Sequence, residues 1–170
     1  MASQRVDRPH AHALRTGRTS EPGRVYLLTA VVAGRHPVFA DPTTAAGAAR
    51  VLADRDTWLD ARLLCWVLMP DHWHGLLVLG NGSTLAACMQ RAKGRAARAV
   101  NRLRGTSGAL WMPGYHDRAL RREDDVRTVA RYVVANPLRA GLVTRLGDYP
   151  YWDAVWLGGA DGYAAGLGDG

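Results

Sequence analysis

Acid is missing from one long stretch of this chain. Between His72 and His116 there is no Asp or Glu, whereas Arg91, Lys93, Arg95, Arg98, Arg102 and Arg104 all fall there. With no acid in the segment to pair with them, these charges are not balanced locally, which favours an anionic partner over a solvated surface. The whole chain, 170 residues with a formal net charge of +7, leans the same way, and nucleic acid is the commonest polyanion. Cysteine is nearly absent. Cys65 and Cys88 are too few and too far apart for a CxxC site or a disulfide scaffold, and they read as reduced core residues of a cytoplasmic protein. No apolar run approaches the roughly 18 residues that a membrane span requires. Residues 1–24 are rich in Arg and His but lack the apolar region of a secretory signal. The 48% hydrophobic content is that of a globular chain, long enough for one domain with a proper core.

Residues 1–24 read as a flexible basic arm, 25–157 as the folded domain, and 158–170, mostly Gly, Ala and Asp, as a disordered tail. Residues 25–32 are rich in β-branched and aromatic types and predict a first strand. Asp41-Pro42 opens a helix to about Asp54, with Asp41 as its cap and Ala45, Ala48, Ala49 and Leu52 turned inward. Residues 61–69 and 73–79 are two further strands joined across Pro70-Asp71. Ser83 or Thr84 caps a long helix to about Arg104. Its apolar residues Leu85, Met89, Ala92, Ala96, Val100 and Leu103 recur every three or four positions, and Arg91, Arg95, Arg98 and Arg102 form a second stripe. Residues 115–120 predict a fourth strand. A helix opening at Glu123, with Glu123, Asp124 and Asp125 in its first turn, runs to Asn136-Pro137, and a short helix follows to about Leu146. The order β-α-β-β-α-β-α predicts an α+β fold: a ferredoxin-like antiparallel sheet with helices packed on one face.

The richest stretch is Met69-Pro70-Asp71-His72-Trp73-His74-Gly75-Leu76-Leu77-Val78. Side chains alternate along a strand, so His72 and His74 share a side while Trp73 turns to the other. Two parallel imidazoles can chelate a divalent cation, or can be hydrogen-bonded structural residues at a strand end. Downstream, Tyr132 and Asn136 stand four apart, on one side of a helix end. Asn136 could cap the turn that Pro137 begins, and Tyr132 could be a wall residue. Set beside the histidines, Asn136 could instead supply a third, oxygen ligand, with Tyr132 next to whatever the cation polarises. A phenol with pKa ~10 is a weak nucleophile at neutral pH and needs such an electrophile. Attack on a phosphodiester would give a phosphotyrosine and a free 3′-hydroxyl, a step reversible without ATP.

Met-Pro-Asp-His-Trp-His-Gly-Leu-Leu, then Tyr-His-Asp-Arg-Ala-Leu-Arg, then Tyr-Val-Val-Ala-Asn-Pro-Leu-Arg-Ala-Gly-Leu-Val resemble, in that order, the single-tyrosine HUH transposases, and among them the REP-associated tyrosine transposases. The likeness runs from about Val25 to Trp156. It implies a ferredoxin-like catalytic domain with Mg²⁺ or Mn²⁺ at His72, His74 and Asn136 and with Tyr132 as nucleophile. It also implies cleavage and rejoining of single-stranded DNA beside hairpin-forming palindromes, by a monomer or a homodimer. Two positions depart from the pattern: Asp71 stands where relatives often have Asn, and Trp73 replaces a smaller aliphatic residue. Arg91, Lys93, Arg95, Arg98, Arg102, His116, Arg118 and Arg139 are the candidate DNA contacts, while His116, Asp117 and Arg118 could equally tie strand to helix and Arg139 could cap a helix end. Trp111 and Tyr115 read as core residues that could instead stack on an unpaired base, and Trp152 and Trp156 as packing residues. A hairpin-binding module without turnover and an unrelated metal-dependent hydrolase are the competing readings. The lack of a third His or a Glu near the pair weighs against the hydrolase.

Overall fold

A computed structural model describes residues 20–121 and 124–156. Val25–Val31 (β1), Arg62–Met69 (β2), His72–Val78 (β3), His116–Ala119 (β4) and Trp152–Ala154 (β5) form one five-stranded sheet in the order β4-β1-β3-β2-β5. Every neighbouring pair is antiparallel. The Pro70-Asp71 turn closes the β2–β3 hairpin, with Met69 paired to His72. That pairing fixes the register of the central strand. His74 lies between Thr29 on β1 and Val67 on β2, and His72 lies between Val31 and Met69.

Two helices cover one face. In α1 (Pro42–Ala53), Asp41 caps the first turn by accepting from Thr44 N at 2.8 Å. In α2 (Leu85–Arg104), Thr84 is the cap, and Gly105 in the left-handed conformation (φ 62°) ends the helix. Their buried residues share a core with Tyr26, Leu28, Ala30, Trp66, Leu68, Trp73 and Leu77 of the sheet. The opposite face is also covered. Ala130, Val133 and Val134 of α3 (Val126–Val134) pack with Cys65, Val67, Met69 and Leu76. The α+β class and antiparallel sheet are as expected, but the helices lie on both faces rather than one. The physical reason is β2, which is apolar at consecutive positions instead of alternating and so presents an oily surface on each side.

Other boundaries move for local reasons. α3 begins at Val126, because the Asp125 carboxylate accepts from Arg127 N and the Thr128 hydroxyl and so acts as N-cap rather than first-turn acid. Asp124 instead accepts from Arg121 N, before the helix, and Glu123 is outside the described residues. The helix expected from Pro137 to Leu146 is a single turn, α4 (Asn136–Arg139), halted at Gly141 with φ 69°. β5 was not foreseen. It pairs with β2, and Trp152 and Trp156 beside it pack on the second core, as expected of them. Trp111 is buried against Phe39, and Tyr115 packs on the first core. Cys65 and Cys88 are buried and unbridged, and burial pushes the Cys65 thiol up to about 12. The basic arm up to residue 19 and the Gly-rich tail from 157 lie outside the described residues.

Candidate active site

The strand alternation delivers His72 and His74 to the α3 side of the sheet, with ring centroids 4.7 Å apart and planes at 77°. Trp73 faces the other way, buried and stacked on Trp58 with centroids 5.2 Å apart. Its indole folds back over Gly75, where any Cβ would overlap it. Each histidine is held at the same ring atom. His72 Nδ1 is 2.6 Å from Asp71 Oδ1, and His74 Nδ1 is 2.7 Å from Thr29 Oγ1. Both Nε2 atoms remain as the candidate donors of the pair. Burial pushes the His74 pKa down to about 4, helped by the charges of His72 and Arg139 and opposed by Asp71. His74 is therefore neutral at pH 7, the form in which an imidazole binds a cation. Partial burial opposes ionisation of Asp71, but the hydrogen bond and charge of His72, with those of Arg35, outweigh it and hold its carboxyl below the usual range.

The α3–α4 junction carries the second half of the site. Asn136 Nδ2 donates to Val133 O at 2.8 Å. A backbone carbonyl only accepts, so the amide is oriented with Nδ2 towards the helix and Oδ1 available elsewhere. Tyr132, one turn earlier, is 63% exposed. The Arg139 guanidinium lies over its ring, and the same Arg139 is close enough to depress the His74 pKa. Tyr132, Asn136 and Arg139 thus stand on the histidine side of the sheet, where Val133 and Val134 anchor α3 against β2.

On β4, His116 is paired with Thr29, giving a row His116–Thr29–His74 across three strands of this same face. Arg118 follows two residues on, exposed, with Nη1 3.5 Å from Asp124. The arginine stripe of α2 is placed differently. Its helix packs on the opposite face, so the sheet separates it from the histidines. Arg91 Nε donates to Asp56 O at 3.0 Å, Lys93 Nζ to Met112 O at 2.8 Å, and Arg95 Nη2 pairs with Asp54 Oδ2 at 2.9 Å. The expectation that this stripe lacks an acid partner is therefore corrected at Arg95, whose carboxylate comes from the end of α1. Arg98 and Arg102 are exposed. Two contributors escaped the sequence reading: Thr29 and Arg35. Thr29 had a signal, being the lone polar residue of an otherwise apolar strand.

The model of the transposase family described as IS200-like matches residues 24–136. This chain belongs to that family. A REP-associated tyrosine transposase of Escherichia coli (strain K12) is 26% identical to this IS200-like chain over 86 residues, 51% of the chain and 50% of the relative. The chain spans about half the length of that curated relative. The solved structure of a REP-associated tyrosine transposase bound to a REP hairpin is 20% identical, with TM-score 0.60, covering 89% of this chain and 82% of that one. A second solved structure, from Deinococcus radiodurans R1, is 24% identical with TM-score 0.51, covering 72% of this chain and 96% of that one. These structures share the fold. The family match takes in His72, His74 and Tyr132 and ends on Asn136, all of them on the α3 side of the sheet. Among the described residues, no group of three His, Cys, Asp or Glu side chains could hold a metal, so a third donor would have to be of another kind. No helix among the described residues is long and apolar enough to cross a membrane.

Proposed function

We propose that this IS200-like transposase cleaves and rejoins single-stranded DNA beside hairpin-forming palindromic repeats, with Tyr132 as nucleophile and Mg²⁺ or Mn²⁺ as cofactor. The observation that carries the reading is the pair of occupied Nδ1 atoms. With His72 Nδ1 on the Asp71 carboxylate and His74 Nδ1 on the Thr29 hydroxyl, the two Nε2 atoms and the Asn136 Oδ1 would supply a nitrogen–nitrogen–oxygen donor set on the face that carries the exposed Tyr132. Imidazole nitrogen with amide oxygen suits a divalent cation of intermediate to hard character. The chemistry that a bound Mg²⁺ or Mn²⁺ supplies there is polarisation of the scissile phosphate and neutralisation of its charge. The hairpin substrate is suggested by the REP hairpin in the related structure and by this chain's net positive charge.

The chain's own residues then divide the work. The Tyr132 oxygen attacks phosphorus and gives up its proton to solvent, and the bond from phosphorus to the 3′-oxygen breaks. The leaving 3′-oxygen takes a proton and departs as a 3′-hydroxyl, leaving a 5′-phosphotyrosine. Attack by a 3′-hydroxyl on that linkage reverses each bond change and frees Tyr132. His116, Arg118 and Arg139, on the site face, contact phosphates near the cleavage point, and Arg98 and Arg102 contact a more distant part of the folded strand. One chain carries the whole set, and both a monomer and a homodimer accommodate it.

The test is a denaturing gel of the protein incubated with a labelled single-stranded hairpin oligonucleotide and Mn²⁺. Wild type should form a covalent adduct, and Tyr132→Phe should lose it while still binding the oligonucleotide. An undiminished adduct in Tyr132→Phe would remove Tyr132 as the nucleophile. Hairpin binding without any adduct in wild type would replace cleavage by a binding-only function.

A further inference from the structure

The Asp71 carboxylate has two oxygens and two different partners. Oδ1 takes His72 Nδ1 at 2.6 Å, and Oδ2 takes Arg35 Nη1 at 3.2 Å. Arg35 comes from the segment following β1, not from the β2–β3 hairpin, and that segment is fastened to the hairpin turn at two points. Val32 N donates to Asp71 O at 2.8 Å, and Phe39 N donates to Pro70 O at 2.9 Å. Between those points Gly34 and Arg35 are both left-handed, with φ 65° and 54°. Glycine adopts that conformation freely, but arginine does so at a cost, and such strain persists where surrounding contacts impose it. The imposed shape aims the Arg35 side chain back at Asp71.

From this arrangement we infer that Arg35 is a positioning residue for the metal site, acting through Asp71 on His72. The inference rests on the proposed reading of His72 as a ligand. Arg35 pins one carboxylate oxygen, which sets the plane of the group and leaves the other facing the imidazole. A carboxylate oxygen only accepts, so this other oxygen, Oδ1, holds His72 with its hydrogen on Nδ1 and its lone pair on Nε2. The Arg35 contact at Oδ2 prevents Asp71 from rotating away from the ring. His74 has no such anion: its Nδ1 partner is the Thr29 hydroxyl, which can donate or accept. The two histidines therefore differ, and only the tautomer of His72 is dictated from outside its own strand. With Arg35 66% exposed, the ion pair adds little to folding, so its removal leaves a folded protein in which ligand orientation can be read.

The experiment compares wild type, Arg35→Gly and Arg35→Lys as full-length chains. Arg35→Gly removes the side chain while relieving the left-handed strain, which protects the fold. Long-range ¹H–¹⁵N NMR of the metal-free proteins reports the tautomer of each histidine, and titration with Mn²⁺ reports affinity. Wild type should show His72 as the Nδ1–H form. Arg35→Gly should mix the two His72 tautomers, leave His74 unchanged, and weaken Mn²⁺ binding about tenfold, in the range seen when a partner of a metal ligand is lost. Arg35→Lys should restore most of both. An unchanged His72 tautomer in Arg35→Gly, or an Nε2–H form in wild type, would overturn the positioning role. A tautomer shift in a protein that binds no Mn²⁺ would uphold the relay from Arg35 to His72 and count against the metal reading instead.

Discussion

The Arg139 guanidinium carbon lies 3.7 Å from the centre of the Tyr132 ring, and Arg139 Nη1 donates to the Tyr132 backbone carbonyl at 2.6 Å. One side chain thus grips the tyrosine at both ends, across the break between α3 and α4. An exposed phenol has little else to restrain it, and a cation over a ring at such a site contributes roughly 0.5–1 kcal/mol. The bond to the carbonyl adds about as much again.

Arg139→Ala should therefore release the Tyr132 rotamer. With DNA saturating, the single-turnover rate of adduct formation is expected to fall about tenfold, the equivalent of ~1.4 kcal/mol in the barrier. Hairpin affinity should fall by a smaller factor, through one lost phosphate contact. A rate that stays at the wild-type value under saturation would show that the grip does not position the nucleophile.

Trp73 and Gly75 form a matched pair, because the indole occupies the space that a Cβ at position 75 would need. Trp73→Val empties a fully buried site against Trp58 and should cost about 3 kcal/mol. Gly75→Ala should also cost a few kcal/mol, by forcing the indole out of place. The double variant Trp73→Val with Gly75→Ala should be more stable than the sum of the two losses allows, since valine vacates the contested space. Urea denaturation of the four proteins measures this coupling, and simple additivity would refute the pairing.

Much of this was legible in the sequence, and what was not has identifiable reasons. The β2–β3 hairpin could be read because a Pro-Asp step interrupts two apolar runs, and the caps at Asp41 and Thr84 obey local rules. The direction of Trp73 followed from strand period alone. Helices on both faces are encoded in the unbroken apolar run of β2, but such a run marks two buried sides without naming the element that covers the second. β5 is too short to show a period. Arg95 and Asp54 are 41 positions apart, and Thr29 and His74 are 45 apart, so no local pattern could join them. His72, His74, Tyr132 and Asn136 were visible as types and spacings. The partners that orient the histidines became visible only once strand register was known.

The basic helix is divided by its contacts. Arg91 and Arg95 already bind Asp56 O and Asp54, whereas Arg98 and Arg102 are exposed. Changing Arg98 and Arg102 together to Ala should weaken hairpin binding and reduce the slope of log affinity against log salt by about 1–2, one contact each. Arg95→Ala should leave the salt slope nearly unchanged and lower stability by up to about 1 kcal/mol, the range of a partly exposed ion pair. Fluorescence anisotropy across a salt series, with urea denaturation alongside, checks both. An unaltered slope in the Arg98, Arg102 variant would remove this helix from the DNA contacts.

His74 makes folding pH-dependent in a window that can be isolated. Burial, with the charges of His72 and Arg139, takes its pKa from the ordinary 6.5 down to about 4. Between those values the unfolded chain accepts a proton that the folded chain refuses, so stability is intact above pH 6.5 and declines as the pH falls towards 4. From pH 7 to pH 5 the loss should approach about 2 kcal/mol, at ~1.4 kcal/mol for each pH unit below the unfolded value. Hydrogen bonds from Thr44, Ser83 and Thr128 hold the carboxyls of Asp41, Asp60 and Asp125 below their usual range, so these groups titrate at still lower pH and do not obscure the window. His74→Gln keeps a polar side chain beside Thr29 but cannot titrate. Urea denaturation at pH 7 and pH 5 should find His74→Gln losing markedly less stability than wild type across that interval. Equal losses in the two proteins would mean that the buried imidazole is not the group that resists protonation.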